Sequence, residues 1–260
     1  MSLAYWVVNA FVTGSAFSGN PASVMVTDHA LPAELMQQIA AQNNLAETAF
    51  VVPKADGYDL RWFTPGVEVK LCGHATLASA FVLRLIGDRG PYFFDTLSGR
   101  LSAEAQAERI VLDFPGTLPS AASEPEGLAE ALGVKPVAVL RAQYWIAVLE
   151  SAAAIRELKP DIAAIGRLPG GMLIVTAPGG EDGADVTSRF FAPGVGIDED
   201  PVTGSMHTQI VPYWAGVLGR NELVCRQASA RGGVLWCELR GGRVRMAGGA
   251  VLYAKGEVFV

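Results

Sequence analysis

The chain has 260 residues, half of them hydrophobic and 18% charged, enough apolar material for one large core or two ordinary ones and too much for a disordered chain. A formal net charge of −6 lacks the basic footprint of a nucleic-acid binder, so no nucleic-acid partner is expected. No stretch reaches the roughly 18 apolar residues of a membrane helix, so no membrane partner is expected either.

In chain order, residues 4–13 are β-branched and aromatic and read as a strand; the N-terminus lacks the basic start and long apolar run of a secretion signal. A glycine-rich turn leads to a short strand at 23–27. Inside that turn, Gly19-Asn20-Pro21 reads either as plain punctuation between strands or as an Asn20 side chain aimed at a ligand. Pro32 opens a helix that ends near Asn43-Asn44. The run 45–52 ends as a strand, with Glu47 standing among apolar neighbours at its mouth. Most such glutamates are simply exposed; the alternative is an acid–base group. Residues 58–64 alternate as a strand that stops at Pro65. From 74 to 86 the pattern is apolar on nearly every side, which predicts a helix surrounded by protein, with the flanking strands curled around it.

Strands follow at 92–96, 99–105 and 109–114, and residues 115–119, Pro-Gly-Thr-Leu-Pro, read as a linker. The second half predicts a helix at 125–132 closed by Gly133, strands at 137–141 and 144–150, and a short helix through Leu158 capped by Ser151. Strands at 172–176 and 185–191 precede a second apolar helix at 205–218, which Pro212 should kink or loosen. From Glu222 on, strands are broken at successive Gly-Gly pairs.

The chain is organised around a repeat. RWFTPGV at 61–67 recurs as RFFAPGV at 189–195, about half a chain length later. Each copy continues through a short loop to a glycine (Gly73, Gly204), a polar residue (His74, Ser205) and an apolar segment. Such a period predicts two related domains, here residues 1–116 and 117–260, with the last strands packing back on the first. The expected fold class is α+β: two pseudo-symmetric domains, each a β-barrel-like sheet wrapped around a central helix.

A helix N-terminus presents N–H groups and a partial positive charge, so it holds an anion without a basic side chain. Glycine there allows close approach. Two such entrances suit a small carboxylate and can stabilise an enolate-like charge. His74 titrates near neutral pH, and Asp200 and Ser205 flank the second entrance. Singly they read as a first-turn histidine, a turn start and a cap; the repeat predicts that they serve one site. His29, His74 and His207 are too scattered for a metal motif, so no metal is expected. Cys72 sits where a lowered-pKa thiol could act, but Thr203 precedes Gly204 in the second copy, and Cys72 reads as a small packing residue. Three cysteines, an odd count, argue against a disulfide framework and for a reducing cytoplasm.

With these residues in hand, the chain resembles the phenazine-biosynthesis (PhzF-like) isomerase family, within the diaminopimelate epimerase and proline racemase fold group. The matching pieces are Gly19-Asn20-Pro21-Ala22, Glu47-Thr48-Ala49-Phe50, Arg61-Trp62-Phe63-Thr64-Pro65, Leu71-Cys72-Gly73-His74-Ala75-Thr76 and Glu199-Asp200-Pro201-Val202-Thr203-Gly204-Ser205, with Pro212-Tyr213-Trp214, Arg226-Gln227 and Arg231-Gly232-Gly233 further on. Met206 departs from the small alanine frequent in that family. The resemblance implies isomerisation of a small carboxylate-bearing substrate without a cofactor. It implies Glu47 as catalytic acid/base, His74, Asp200 and Ser205 as assisting groups, and Gly73 and Gly204 as holders of the substrate's anionic group, with Asn20 as a binding residue. The rival reading is a protein that binds small carboxylates without turnover. A homodimer, the commonest soluble assembly, is the default expectation.

Overall fold

The computed structural model describes residues 2–180 and 183–260. The chain divides into two compact units, Met1–Asp113 with Ala247–Val260, and Phe114–Met246. No helix among the described residues is long and apolar enough to cross a membrane.

The first unit runs β1 (Ser2–Ala10), β2 (Asn20–Val26), α1 (Ala33–Asn43), β3 (Glu47–Lys54), β4 (Gly57–Phe63), β5 (Glu68–Val69), α2 (Gly73–Leu85), β6 (Tyr92–Thr96), β7 (Gly99–Gln106) and β8 (Arg109–Pro115). β1 and β2 are antiparallel, as are β3 and β4, but β2 pairs parallel with β3, and β4 with β6. Parallel neighbours need a crossover, and α1 and α2 supply them. α2 packs against β1, β2, β3 and β7, and its residues from His74 to Ala80 are all buried. α1 packs through Met36, Ile39 and Ala40 against Met25, Phe50 and Phe63.

The second unit runs β9 (Ser120–Ala121), α3 (Leu128–Leu132), β10 (Ala138–Arg141), β11 (Trp145–Val148), α4 (Ala152–Glu157), α5 (Ile162–Arg167), β12 (Leu173–Pro178), β13 (Val186–Ala192), β14 (Ile197–Asp200), α6 (Gly204–Leu218), β15 (Glu222–Gln227), β16 (Gly233–Arg240) and β17 (Arg243–Gly248). The last strand, β18 (Ala250–Phe259), pairs antiparallel with β1 along its length.

The second unit repeats the plan of the first. β10 and β11 are antiparallel, β11 and β12 parallel across α4 and α5, β12 and β13 antiparallel, and β13 and β15 parallel across α6. α6 packs against β12, β15 and β16. The short sequence repeat therefore marks a much longer structural one. α5 has no counterpart among the sequence expectations: Asp161 caps it by accepting from the Ala164 N–H at 2.9 Å. Pro212 does not interrupt α6, which runs continuously over 15 residues. Proline leaves the Thr208 carbonyl without its helical donor, and the Thr117 N–H takes it at 2.9 Å.

In each unit the repeated arginine clamps the loop that leads to the central helix. Arg61 grips Glu68 with Nε and an Nη at 2.7 and 2.8 Å, and Arg189 grips Glu199 at the same 2.7 and 2.8 Å. Such bidentate charge-assisted pairs are strong and direction-specific. Each guanidinium also lies over the repeat phenylalanine, 5.2 Å from the Phe63 ring centre and 4.8 Å from that of Phe191. Arg189 does more than its twin, donating to the carbonyls of Ile155 and Leu158 at the end of α4.

The glycine that follows the repeat proline differs between copies. A methyl group on Gly66 would meet nothing within 4 Å, whereas one on Gly194 would stand 2.7 Å from the Gly170 carbonyl oxygen and 2.9 Å from Gly171 Cα. Both obstacles are backbone and cannot swing aside. Gly66→Ala is therefore expected to leave the urea-unfolding midpoint almost unchanged, and Gly194→Ala to cost about 1–3 kcal/mol as overpacking does. Equal effects at the two positions would contradict this packing asymmetry.

Candidate active site

The first unit gathers five residues around the start of α2. Cys72 precedes the helix in extended conformation, and its side chain makes no capping hydrogen bond, so the first-turn N–H groups get no side-chain acceptor from it. His74, 4% exposed, projects from the first turn. Its Nδ1 faces the Asn20 amide nitrogen at 3.2 Å and the Cys72 sulfur at 3.5 Å. Its Nε2 stands 3.0 Å from Oε2 of Glu47, and neither atom has a hydrogen-bond partner elsewhere among the described residues. Gly73 lies between Cys72 and His74 without a side chain to crowd them.

Pairing holds Glu47 in place. It opens β3 opposite Ala22 of β2. The next residue, Thr48, accepts at Oγ1 from Ser23 at 2.8 Å and from the Asn43 amide at 3.2 Å. Burial opposes the His74 cation, and the neighbouring Cys72 sulfur and Glu47 carboxylate outweigh it, holding His74 well above the ordinary histidine range. Burial pushes the Cys72 thiol up, and the Glu47 charge adds to that push.

The second unit builds its counterpart around the start of α6. Thr203 precedes Gly204 as Cys72 precedes Gly73, again extended and again without a side-chain cap. Its hydroxyl instead donates to Asp200 Oδ2 at 2.5 Å. Gln227, buried at the end of β15, locks this turn: its oxygen accepts from the Thr203 N–H at 2.7 Å, and its nitrogen donates to the Asp200 carbonyl at 2.7 Å. Ser205 does not cap α6. It lies inside the first turn, its Oγ 3.1 Å from the Tyr144 hydroxyl. Tyr144 is tied again by its own N–H to Gln209 at 3.2 Å, and its ring packs tilted against Phe190, the centroids 4.9 Å apart. Burial pushes the Tyr144 hydroxyl above its usual pKa; the Ser205 hydrogen bond opposes that push and the Asp200 charge adds to it.

The structure thus brings Asn20, Glu47, Gly73 and His74 together in one unit, and Asp200, Gly204 and Ser205 together in the other. Tyr144 and Gln227 were not singled out as site residues from sequence. Arg226-Gln227 stands in a matched motif, which was the available signal for Gln227; Tyr144 carried none, because alternation says which strand it starts and not which hydroxyl it meets. The halves differ at a telling place. Thr48 pairs with Phe63, and Leu173 with Phe191. Counting back one residue, Met172 stands where the first unit has Glu47. A separate cavity of about 300 Å³ lies in the first unit, lined by Leu31, Met36, Phe50 and Val52 among others, and does not include these site residues.

Comparison with known proteins gives a consistent picture. The family model described as phenazine biosynthesis-like protein matches residues 8–256. An uncharacterized isomerase of Pseudomonas aeruginosa is 50% identical, covering 99% of both chains. The crystal structure of a phenazine biosynthesis protein of the PhzF family from Enterococcus faecalis superposes with a TM-score of 0.96 at 41% identity, covering 100% of both chains. A hydroxyproline epimerase from Agrobacterium vitis shares the fold alone, with a TM-score of 0.61 at 12% identity, over 99% of this chain and 92% of that one.

His207, one turn into α6, gives this region a pH signature. It is fully buried, its Nδ1 2.8 Å from the Thr203 carbonyl, and Nε2 has no partner among the described residues. Burial lowers its pKa from 6.5 to about 4, partly offset by the Thr203 carbonyl. Above pH 6.5 both folded and unfolded chains carry it neutral. As pH falls from there toward 4 the unfolded chain takes up the proton and the folded chain does not, so stability drains away over that window. The loss amounts to about 3 kcal/mol. In urea unfolding, His207→Asn should lose about that much less stability than the parent between pH 7 and pH 4; parallel losses would refute the assignment.

Proposed function

The chain belongs to the phenazine biosynthesis-like protein family, and on that premise we propose that it is an isomerase moving a proton on a small carboxylate-bearing metabolite by general acid–base catalysis, without a cofactor. One observation carries the reading: the Glu47 carboxylate, 14% exposed, lies 3.0 Å from His74 Nε2 beside an uncapped helix start. A carboxylate so placed is held by a neighbour yet retains lone pairs for a proton.

In this reading Glu47 removes a proton from a carbon made acidic by an adjacent carbonyl or unsaturated group. Glu47, or Asp200, returns it at another position. Asn20 and His74 orient the base and the substrate around it. The first-turn N–H groups at Gly73 and Gly204 receive the substrate's carboxylate and the negative charge that develops beside it. Each helix end contributes about 0.3–1 kcal/mol when exposed and up to about 2 when partly buried. Ser205, steadied by Tyr144, supplies a further hydroxyl. That both helix entrances serve one substrate rests on the repeat and on the family. The Met172 position favours a single strong base over a matched pair. A homodimer is the proposed assembly.

The test uses solvent deuterium. Small unsaturated and keto acids that raise the melting temperature would be incubated with the protein in heavy water. Glu47→Gln should lower deuterium incorporation by about 10²–10⁴-fold with circular dichroism unchanged. Full exchange in that variant would remove Glu47 from the mechanism. Tight binding without exchange in the parent protein would identify a carrier rather than an enzyme.

A further inference from the structure

Glu47, Cys72 and His74 offer a carboxylate oxygen, a sulfur and a ring nitrogen that all lie within 4.8 Å of one another. No sequence motif announces this set, because Glu47 comes from β3 and the other two from the start of α2. The geometry points to a binding site for a thiophilic divalent cation of the Zn2+ class at this cluster. Resting on the acid–base reading of Glu47, bound Zn2+ inhibits the enzyme.

The sulfur–nitrogen pair is already spaced for such an ion. A tetrahedral zinc sits about 2.3 Å from sulfur and about 2.0–2.1 Å from nitrogen, which sets those two atoms about 3.6 Å apart. Cys72 Sγ and His74 Nδ1 are 3.5 Å apart. Their backbone is fixed by the extended approach through Cys72 and the first turn of α2, and both residues are buried, at 6% and 4% exposure. Glu47 completes three protein ligands by swinging an oxygen from the Nε2 side of the ring toward Nδ1. Three ligands of sulfur, nitrogen and oxygen with a fourth position open is an arrangement zinc accepts. Magnesium and calcium prefer all-oxygen shells, so the thiolate selects against them.

Binding forms a zinc–sulfur bond as the Cys72 S–H bond breaks, and the proton goes to solvent. Any proton on Nδ1 leaves the same way, and the Asn20 amide turns aside from that nitrogen. Affinity therefore rises with pH. Ligation moves the Glu47 carboxylate from its place beside His74 Nε2 and lowers its basicity, so the ion competes with catalysis.

Co2+ is the probe, because thiolate ligation gives it a near-ultraviolet charge-transfer band that needs no substrate to observe. Full-length protein stripped with EDTA and dialysed should develop that band with saturation at one equivalent of Co2+, and one equivalent of Zn2+ should abolish it. Cys72→Ser should lack the band, and Cys225→Ser with Cys237→Ser should keep it. Glu47→Gln should weaken Zn2+ binding by at least about tenfold. Should Cys72→Ser misfold, Cys72→Ala repeats the measurement with a smaller non-ligating side chain. Absence of the band in the parent protein, or its survival in a folded Cys72 variant, overturns the site. Deuterium exchange that persists in zinc-saturated protein overturns the inhibition. The cobalt spectrum reads metal binding without turnover, and metal-free exchange reads turnover without metal, so failure of one is distinguishable from failure of the other.

Discussion

The arginine–glutamate clamp is the constraint on which the helix entrance of each unit hangs. A strand must stop, turn through a proline-glycine loop and deliver a helix start whose N–H groups lack a side-chain cap. Loops of that kind are mobile unless something holds them. Here a guanidinium fork at the end of the strand grips a carboxylate across the loop and sits over a phenylalanine ring of the same strand. Such a pair contributes little to net stability if solvated. Its value is directional: two parallel hydrogen bonds leave the loop few alternatives. The clamp is deeper in the second unit, where Arg189 also satisfies two carbonyls.

On that shared frame the two units carry different chemistry. The residue after the helix glycine is an imidazole held by Asn20 in one unit and a hydroxyl held by Tyr144 in the other. Where the mouth of β3 brings a carboxylate to the imidazole, Met172 stands just ahead of β12 in the second unit. Duplicated scaffolds keep the parts that set backbone direction, because every change there moves a helix. The side chains at the tips are free to diverge, and they have.

Much of this was legible in the sequence for a physical reason. Two helices apolar on all sides have few homes, and a repeated Arg-x-Phe-x-Pro-Gly-Val before each one fixes their equivalence. The partners of those arginines were not legible: Glu68 lies seven residues after Arg61, but Glu199 lies ten after Arg189, so comparison at a fixed offset misses them. Pro212 read as a disruption because sequence shows the lost donor and not the replacement from Thr117. Cys72 read as packing, and it is buried, but the sulfur also touches His74. Tyr144 and Gln227 act through contacts set by tertiary register, which periodicity does not encode.

The pairing of β1 with β18 joins Ser2 to Phe259 and Ala10 to Ala250, and it sets an order of events during synthesis. A chain leaving the ribosome N-terminus first releases all of 114–246 before the closing strand of the first unit exists. The second unit is one continuous segment and can mature as it emerges. The first must wait with β1 lacking that neighbour until residues 250–259 are made, which imposes the slow search of distant contacts. The unit that carries Glu47 thus begins to emerge before the other and closes after it.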